Sequence, residues 1–366
     1  MRIGFNARAL AAPQIRGWTR YALQLLRHLP ELGSDLVLFS DQPLNGEYLA
    51  QLLPGSFRVV QSPPMPYVIW EQGWLPLACV RERVDLLHAP ANFGLPALAH
   101  CPRVLTLHDA IDVAFAPSTE AVSLREHMVR ASFWAARHTA TRVITVSNHA
   151  KSDLIKHFSI PASKIAVIHE ASELEAHAGP DSADEGLLEG LNIRGAFVLY
   201  AGGFDPRKNV DFLVRAFDAA ALEGVTLVLV GNQPSSSVSA IVASMPQGRV
   251  RLTGFVSDAT LAALYRRALV FVYPSLYEGF GLQLCEAMSF ACPILAAEAT
   301  SLPEILGSGG DTFSPTEPET LVAQLKRVAN DPSFRRDLVA RASERARHFS
   351  WQRTAQLTYD VYQSCT

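Results

Sequence analysis

Two glutamates eight residues apart, Glu278 and Glu286, flank a glycine-rich turn in LYEGFGLQLCEAM, and two adjacent cations, Arg207 and Lys208, sit in GGFDPRKN. Ionised carboxylates accept charge-assisted hydrogen bonds from hydroxyl groups, which suits them to sugars and ribose. An Arg-Lys pair can neutralise a pyrophosphate as its charge develops during bond breaking, with Arg as a forked donor and Lys as a point charge. Each feature alone has a plainer reading, a solvated glutamate pair or a basic turn with an Asn helix cap. It is their occurrence together that points to a nucleotide-linked sugar. GGFDPRKN is neither a Walker A loop nor a GxGxxG fingerprint, so ATP hydrolysis and Rossmann-type hydride transfer lose their usual support.

Three further positions fit the same chemistry. Gly279 and Gly281 let backbone approach a ligand closely, and the free amides of a helix that begins near Gly281 or Leu282 make a ready anion site; Glu286 lies about one turn inside it. In LTLHDA, His108 and Asp109 end a strand, where a histidine can donate to a sugar hydroxyl or orient backbone. A lone histidine is more often structural, and the His-Asp dipeptide of metal-dependent phosphohydrolases needs further His and Asp ligands on helices. In PQIRGWTRYALQLL, Gly17 precedes a helix starting around Thr19 and offers another phosphate-facing turn, although a simple cap looks the same.

The elements that must carry these residues alternate. Apolar runs such as DLVLFS, RVDLLHAP, PRVLTLHD and TRVITVS, then AFVLYAGG, VTLVLVG, RVRLTG, LVFVYPS and CPILAAE, are separated by helix-periodic stretches. That alternation predicts an α/β fold of βαβ units with parallel sheets covered on both faces. At 366 residues the chain exceeds the roughly 250 to 300 at which single cores stop growing. Two doubly wound domains are expected, 1–172 and 173–349, joined through the polar stretch ELEAHAGPDSADEGLLEGLN, with an active site in a cleft between them. The last segment, FSWQRTAQLTYDVYQ, spaces Trp351, Thr354, Ala355, Thr358 and Tyr359 as one face of a docking helix within 350–366.

Composition excludes several classes. Net charge is -3 overall; residues 1–175 are net +1 and the remainder net -4. Neither part is polybasic, so nucleic acid is not an expected partner. Five cysteines without a CxxC pair argue against a disulfide framework and a thiolate zinc site, and fit a reducing cytoplasm. No signal peptide or membrane-length apolar run is apparent, so any work at a membrane is expected from its surface.

With these residues in view, the chain resembles glycosyltransferase family 4, the retaining enzymes of GT-B architecture. The resemblance is strongest from Tyr200 to Pro303, where the E-x7-E pattern of Glu278 and Glu286 follows GGFDPRKN and LTGFVSDATLAALYRRA. It implies two Rossmann-like domains facing a cleft, the first for the acceptor, the second for the donor, and a C-terminal helix returning to the first. It also implies that Glu278 meets the transferred sugar and Glu286 the ribose, while Arg207 and Lys208 hold the diphosphate. The amides of Phe280 to Leu282 would line sugar and phosphate, His108 would face the sugar, and Gly17 would lie near the diphosphate. Transfer would proceed by front-face attack with retention, without metal or cofactor.

The donor implied is a nucleotide sugar, with GDP-mannose preferred because PRKN and the WEQGWLP segment at Trp70 to Pro76 look like bacterial mannosyltransferases of surface-polysaccharide assembly. A UDP-sugar is close behind. The acceptor would be a saccharide or lipid-linked saccharide, and peripheral association with the inner face of a membrane is compatible with it. A GT-B nucleotide-sugar epimerase and a non-catalytic nucleotide-sugar-binding protein are the competing readings. Three departures from the family pattern stand out: IRGWTR where many members have a glycine pair, Ala291 in place of glycine, and Asp311 in place of alanine.

Overall fold

The computed structural model describes residues 1–13, 17–114, 127, 131, 134, 138–174 and 181–366. The chain divides into two compact units, residues 1–170 with 351–366, and residues 171–350. Most of the RASFWAARH stretch, residues 14–16 of the N-terminal loop and residues 175–180 of the polar connection lie outside the described residues.

The first unit is built on a seven-stranded sheet: β1 (Arg2–Asn6), β2 (Asp35–Ser40), β3 (Phe57–Gln61), β4 (Leu86–Ala89), β5 (Arg103–Thr106), β6 (Arg142–Thr145) and β7 (Ile165–Val167). Their order is β3-β2-β1-β4-β5-β6-β7 and every pairing is parallel. The chain winds outward from β1 in one direction and from β4 in the other. The loops leaving β1 and β4 therefore diverge at a switch point, where open α/β sheets bind ligands.

The second unit repeats the plan with six strands: β8 (Ala196–Ala201), β9 (Val225–Val230), β10 (Val250–Gly254), β11 (Val270–Tyr273), β12 (Ile294–Ala297) and β13 (Asp311–Phe313). The order β10-β9-β8-β11-β12-β13, again all parallel, puts the switch point between β8 and β11. Helices cover it with apolar stripes; Val210–Ala220 buries Val210, Leu213, Val214, Phe217 and Ala220 at helical spacing. The connection read from 173–192 is partly structural: Asp184–Gly190 is a helix of this unit. Its fully buried Asp184 is held by Arg266 and Arg267.

The C-terminal helix Trp351–Gln363 belongs to the first unit and buries Trp351, Thr354, Ala355, Thr358 and Tyr362. Tyr362, rather than Tyr359, is the tyrosine driven home. Its hydroxyl meets His88 Nδ1 at 2.6 Å, and His88 Nε2 meets Thr106 Oγ1 at 2.8 Å. Thr106 Oγ1 in turn lies 3.1 Å from the Tyr21 hydroxyl. A buried polar chain of this kind holds only if each member is paired, and each is.

Candidate active site

At the switch of the second unit, the loop after β8 tightens into a single 3-10 turn, Pro206–Lys208, before Asn209 and the helix Val210–Ala220. Asn209 adopts a left-handed conformation, φ +55°, and its side-chain amide donates to Pro315 O at 3.1 Å. The loop after β11 is tied to this turn through the Leu276 amide, 2.7 Å from Arg207 O. Two adjacent parallel strands thus hold the cations and the first glutamate face to face.

The result is a compact ion cluster. Lys208 Nζ lies 2.6 Å from Glu278 Oε1 and 3.1 Å from the Tyr273 hydroxyl, which itself donates to Gln283 Oε1 at 2.8 Å. Arg207 Nη1 lies 3.2 Å from Glu278 Oε2 and 3.3 Å from Tyr277 O, while its Nε pairs with Asp205 at 2.8 Å. Both Lys208 and Glu278 are buried. Burial by itself would raise the Glu278 carboxyl, but the charges of Lys208 and Arg207 outweigh it and hold the group below its usual value. Two cations face one buried carboxylate, and the more exposed Asp205 brings the formal charge of the cluster to zero. Two cations fixed side by side at strand ends can turn to an anionic ligand.

The turn between the glutamates is clamped from a segment that sequence reasoning passed over. The Thr300 hydroxyl accepts from the Glu278 amide at 3.0 Å, and the fully buried Ser301 hydroxyl lies 3.0 Å from Glu278 O and 2.9 Å from Phe280 O. Thr300 does this at φ +50°, an uncommon conformation for a β-branched residue, and strain of that sort gathers where position matters. Gly281 has φ +98°, and a Cβ there would sit 2.8 Å from Leu302 Cδ2. The helix Leu282–Ser289 starts directly after it. Gly281 is the residue that caps it, so the helix starts where the sequence placed it. Phe280 is buried, edge-on to Phe349 at 6.2 Å. Glu286, also buried, accepts from the Tyr265 hydroxyl at 3.1 Å.

At the switch of the first unit, His108 follows β5 as expected but is fully engaged. Its amide donates to Asn92 Oδ1 at 2.8 Å, Nδ1 lies 2.9 Å from Glu170 Oε1, and Nε2 lies 2.9 Å from Pro90 O. A carbonyl only accepts, so Nε2 carries a proton. Burial would drive the ring towards neutrality, yet the hydrogen bond and charge of Glu170, aided by Pro90 O and Asp109, outweigh it and raise its pKa. Of the two roles expected of this ring, donating to a sugar hydroxyl or orienting backbone, the contact with Pro90 O is the second. Both nitrogens are in use, so donation requires release from Pro90 or Glu170. Glu170 could not be foreseen, lying 62 positions away.

Gly17 needs correction. It does not precede its helix but begins it, in Gly17–His28, and a Cβ there would meet nothing within 4 Å. Beside it a cavity of 370 Å³ opens, lined by Asn6, Arg8, Trp18, Thr19, Pro90 and Phe93 among others. Trp18 and Phe93 meet edge to face at 5.5 Å. Arg8 is paired with Asp41 at 2.8 Å. The WEQGWLP segment does packing work: Trp70 is fully buried and stacks with Trp74 at 6.3 Å. Of the family departures, Ala291 takes the left-handed φ of +51° that explains a glycine preference, and Asp311 pairs with Arg341 at 2.8 Å.

The two buried histidines of the first unit act in separate pH windows. His108, raised, contributes stability that is fully present below the ordinary imidazole value of about 6.5 and is lost as pH rises through its folded value. His88 is pushed down to about 3, by burial and by His108. The unfolded chain takes up that proton below about pH 6.5 and the folded chain does not, so stability falls with pH at up to about 1.4 kcal/mol per unit. Urea midpoints measured as pH is lowered below the ordinary imidazole value should decline, and His88→Gln should flatten the decline. An equal slope in the variant would acquit His88.

Comparisons with known proteins agree with one another. The model of glycosyl transferases group 1 matches residues 189–347, and that of glycosyltransferase family 4 matches residues 15–175. The O-antigen chain mannosyltransferase B of Escherichia coli is 29% identical over 298 residues, 80% of this chain and 76% of that one. A D-inositol 3-phosphate glycosyltransferase of Streptomyces bingchenggensis is 30% identical over 328 residues, 84% of this chain and 67% of that one. The match to the serotype-specific mannosyltransferase WbdA of Escherichia coli, 28% over 233 residues and 61% of this chain, spans only 29% of that longer protein. Among solved structures, Anabaena Alr3699/HepE in complex with UDP and glucose aligns with a TM-score of 0.76 at 19% identity, covering 100% of both chains. That last likeness is one of fold.

Proposed function

The chain belongs to glycosyltransferase family 4 and has the GT-B fold of two parallel-sheet Rossmann-like domains, and from that premise we propose that it is a retaining, metal-independent hexosyltransferase whose donor is GDP-mannose. The observation that carries the reading is the Lys208–Glu278–Arg207 cluster beside the opening of the helix Leu282–Ser289. In it, Arg207, Lys208 and the amides from Phe280 to Leu282 take the diphosphate, and Glu278 contacts the transferred hexose. Glu286, one turn deeper, takes the ribose.

Departure of the diphosphate is the step that needs help, because negative charge builds on it as the glycosidic bond lengthens. Cations already fixed in place stabilise that charge without reorganisation. In the retaining route the same diphosphate draws the proton from the acceptor hydroxyl on one face of the sugar, so no protein nucleophile is required. The preference for mannose rests on similarity to mannosyltransferases of Escherichia coli. A saccharide or lipid-linked saccharide of surface-polysaccharide assembly is the proposed acceptor, and the cavity walled by Trp18 and Phe93 suits an uncharged sugar ring.

Titration calorimetry with GDP, UDP and ADP at equal concentration tests this. GDP should bind most tightly. Tightest binding of UDP would transfer the proposal to a UDP-sugar, and no binding of any nucleotide would sink the enzyme reading.

A further inference from the structure

Gln283 is the second residue of the helix Leu282–Ser289 and is half-buried. It joins the ion cluster through Tyr273, which is fully buried, with its ring against Gly281. The Tyr273 hydroxyl stands between two partners, Lys208 Nζ at 3.1 Å and Gln283 Oε1 at 2.8 Å. An ammonium only donates, so the hydroxyl oxygen accepts from Lys208 and its one proton goes elsewhere. Burial first, then the charge of Glu278, keep that proton on the oxygen. Glu278 is within reach of it too, but both carboxylate oxygens are already held, Oε1 by Lys208 and Oε2 by Arg207. The Gln283 carbonyl is the acceptor.

That donation fixes which way the Gln283 amide faces. The oxygen and nitrogen of a carboxamide have nearly the same shape, and their partners tell them apart. Turned over, the amide would bring its NH2 to a buried hydroxyl whose proton then lacks this acceptor, a costly arrangement. Oε1 is therefore turned to Tyr273 and Nε2 away from it, with two N–H groups that have no partner among the described residues. Lys208 likewise engages Glu278 and the Tyr273 hydroxyl and keeps a third N–H. A side chain that served to hold Tyr273 alone would need an oxygen and no N–H at all.

We propose that Gln283 is a further ligand-binding residue of this site: its carboxamide, oriented by Tyr273, donates to the diphosphate of the nucleotide sugar beside the Lys208 ammonium. An amide there adds a directional hydrogen bond to phosphate without adding charge. The inference rests on the transferase reading and deepens its donor half.

Titration calorimetry with GDP and UDP on the full chain tests it. Gln283→Met keeps the length of the side chain and removes the N–H donors, and should weaken binding about tenfold. Gln283→Glu keeps an acceptor for Tyr273 but puts a carboxylate where the donors were; binding should weaken about a hundredfold while its urea midpoint stays at or above the native one. Tyr273→Phe should weaken binding about threefold in the native background and by less when Gln283→Met is already present, because the orientation it supplies then serves no donor. Unchanged circular dichroism shows that the variants fold. Native affinity in Gln283→Met overturns the proposal, and so does a loss confined to Gln283→Glu, which charge repulsion alone explains. An equal cost of Tyr273→Phe in both backgrounds overturns the part given to Tyr273. A native chain that binds neither GDP nor UDP refutes the transferase reading and this assignment with it, whereas nucleotide binding that the Gln283 variants leave intact refutes the assignment and leaves the reading standing.

Discussion

Replacing Lys208 by alanine should lower turnover about a hundredfold and destabilise the second unit by about 3 kcal/mol. The two losses have different origins. Stability falls because the ammonium 2.6 Å from Glu278 Oε1 is the nearest compensation for a carboxylate that is only 8% exposed. Removing one partner of a buried pair leaves the other charge desolvated and unpaired. Turnover falls because Arg207, already shared between Asp205 and Glu278, is the one cation of the pair left for the leaving diphosphate.

A double variant separates them. Lys208→Ala with Glu278→Ala removes both charges and should recover much of the stability lost in the single variant, measured by urea unfolding, while turnover stays at least tenfold down. Unchanged turnover in Lys208→Ala and in the single variant Glu278→Ala would refute the assigned roles. A double variant no more stable than Lys208→Ala would show that the buried carboxylate is not the source of the cost.

Gly231→Ala should be the most damaging glycine substitution near the site. Gly231 follows β9 at φ +149°, and a Cβ there would lie 2.0 Å from Gly202 O and 3.0 Å from the Phe204 ring. The obstacle is backbone, so no rotamer change relieves it. The loop that carries Arg207 and Lys208 must move, at a cost of about 3 kcal/mol or more, and a displacement of about 1 Å should weaken nucleotide binding at least tenfold. Gly224→Ala is the control, because φ is +67° there but nothing lies within 4 Å of the added methyl. Urea midpoints and calorimetry on both variants check this. Equal losses would mean that backbone conformation, not the Gly202 contact, sets the requirement.

The long interior strands were legible because burial on both faces writes them as unbroken apolar runs: VTLVLVG became β9 and DLVLFS became β2. The strands passed over, β3, β7 and β13, lie at sheet edges. FRVVQ is largely exposed and the other two are three residues each, so neither composition nor length announces them. At the site, Arg207, Lys208, Glu278 and Glu286 were legible by type and spacing. Their mutual arrangement was not, because Lys208 and Glu278 are 70 positions apart and nothing local states which strands adjoin. Thr300, Ser301 and Glu170 escaped for the same reason, and Gly231 because its role is to be empty where another loop passes. His108 was legible by type and by its place at a strand end, but its partners Glu170 and Pro90 were not.

The helix that ends in Tyr362 has a consequence for how the molecule is made. During synthesis, the first 170 residues leave the ribosome long before Trp351–Gln363, and the whole second unit is translated in between. Until then His88 and the other groups that the helix covers have no Tyr362 to close on. The nascent first unit must wait as an unfinished body while the second, continuous in sequence, can fold ahead of it. Birth order and folding order are thereby reversed, and a nascent chain stalled anywhere before Trp351 should expose the seam that the last helix seals.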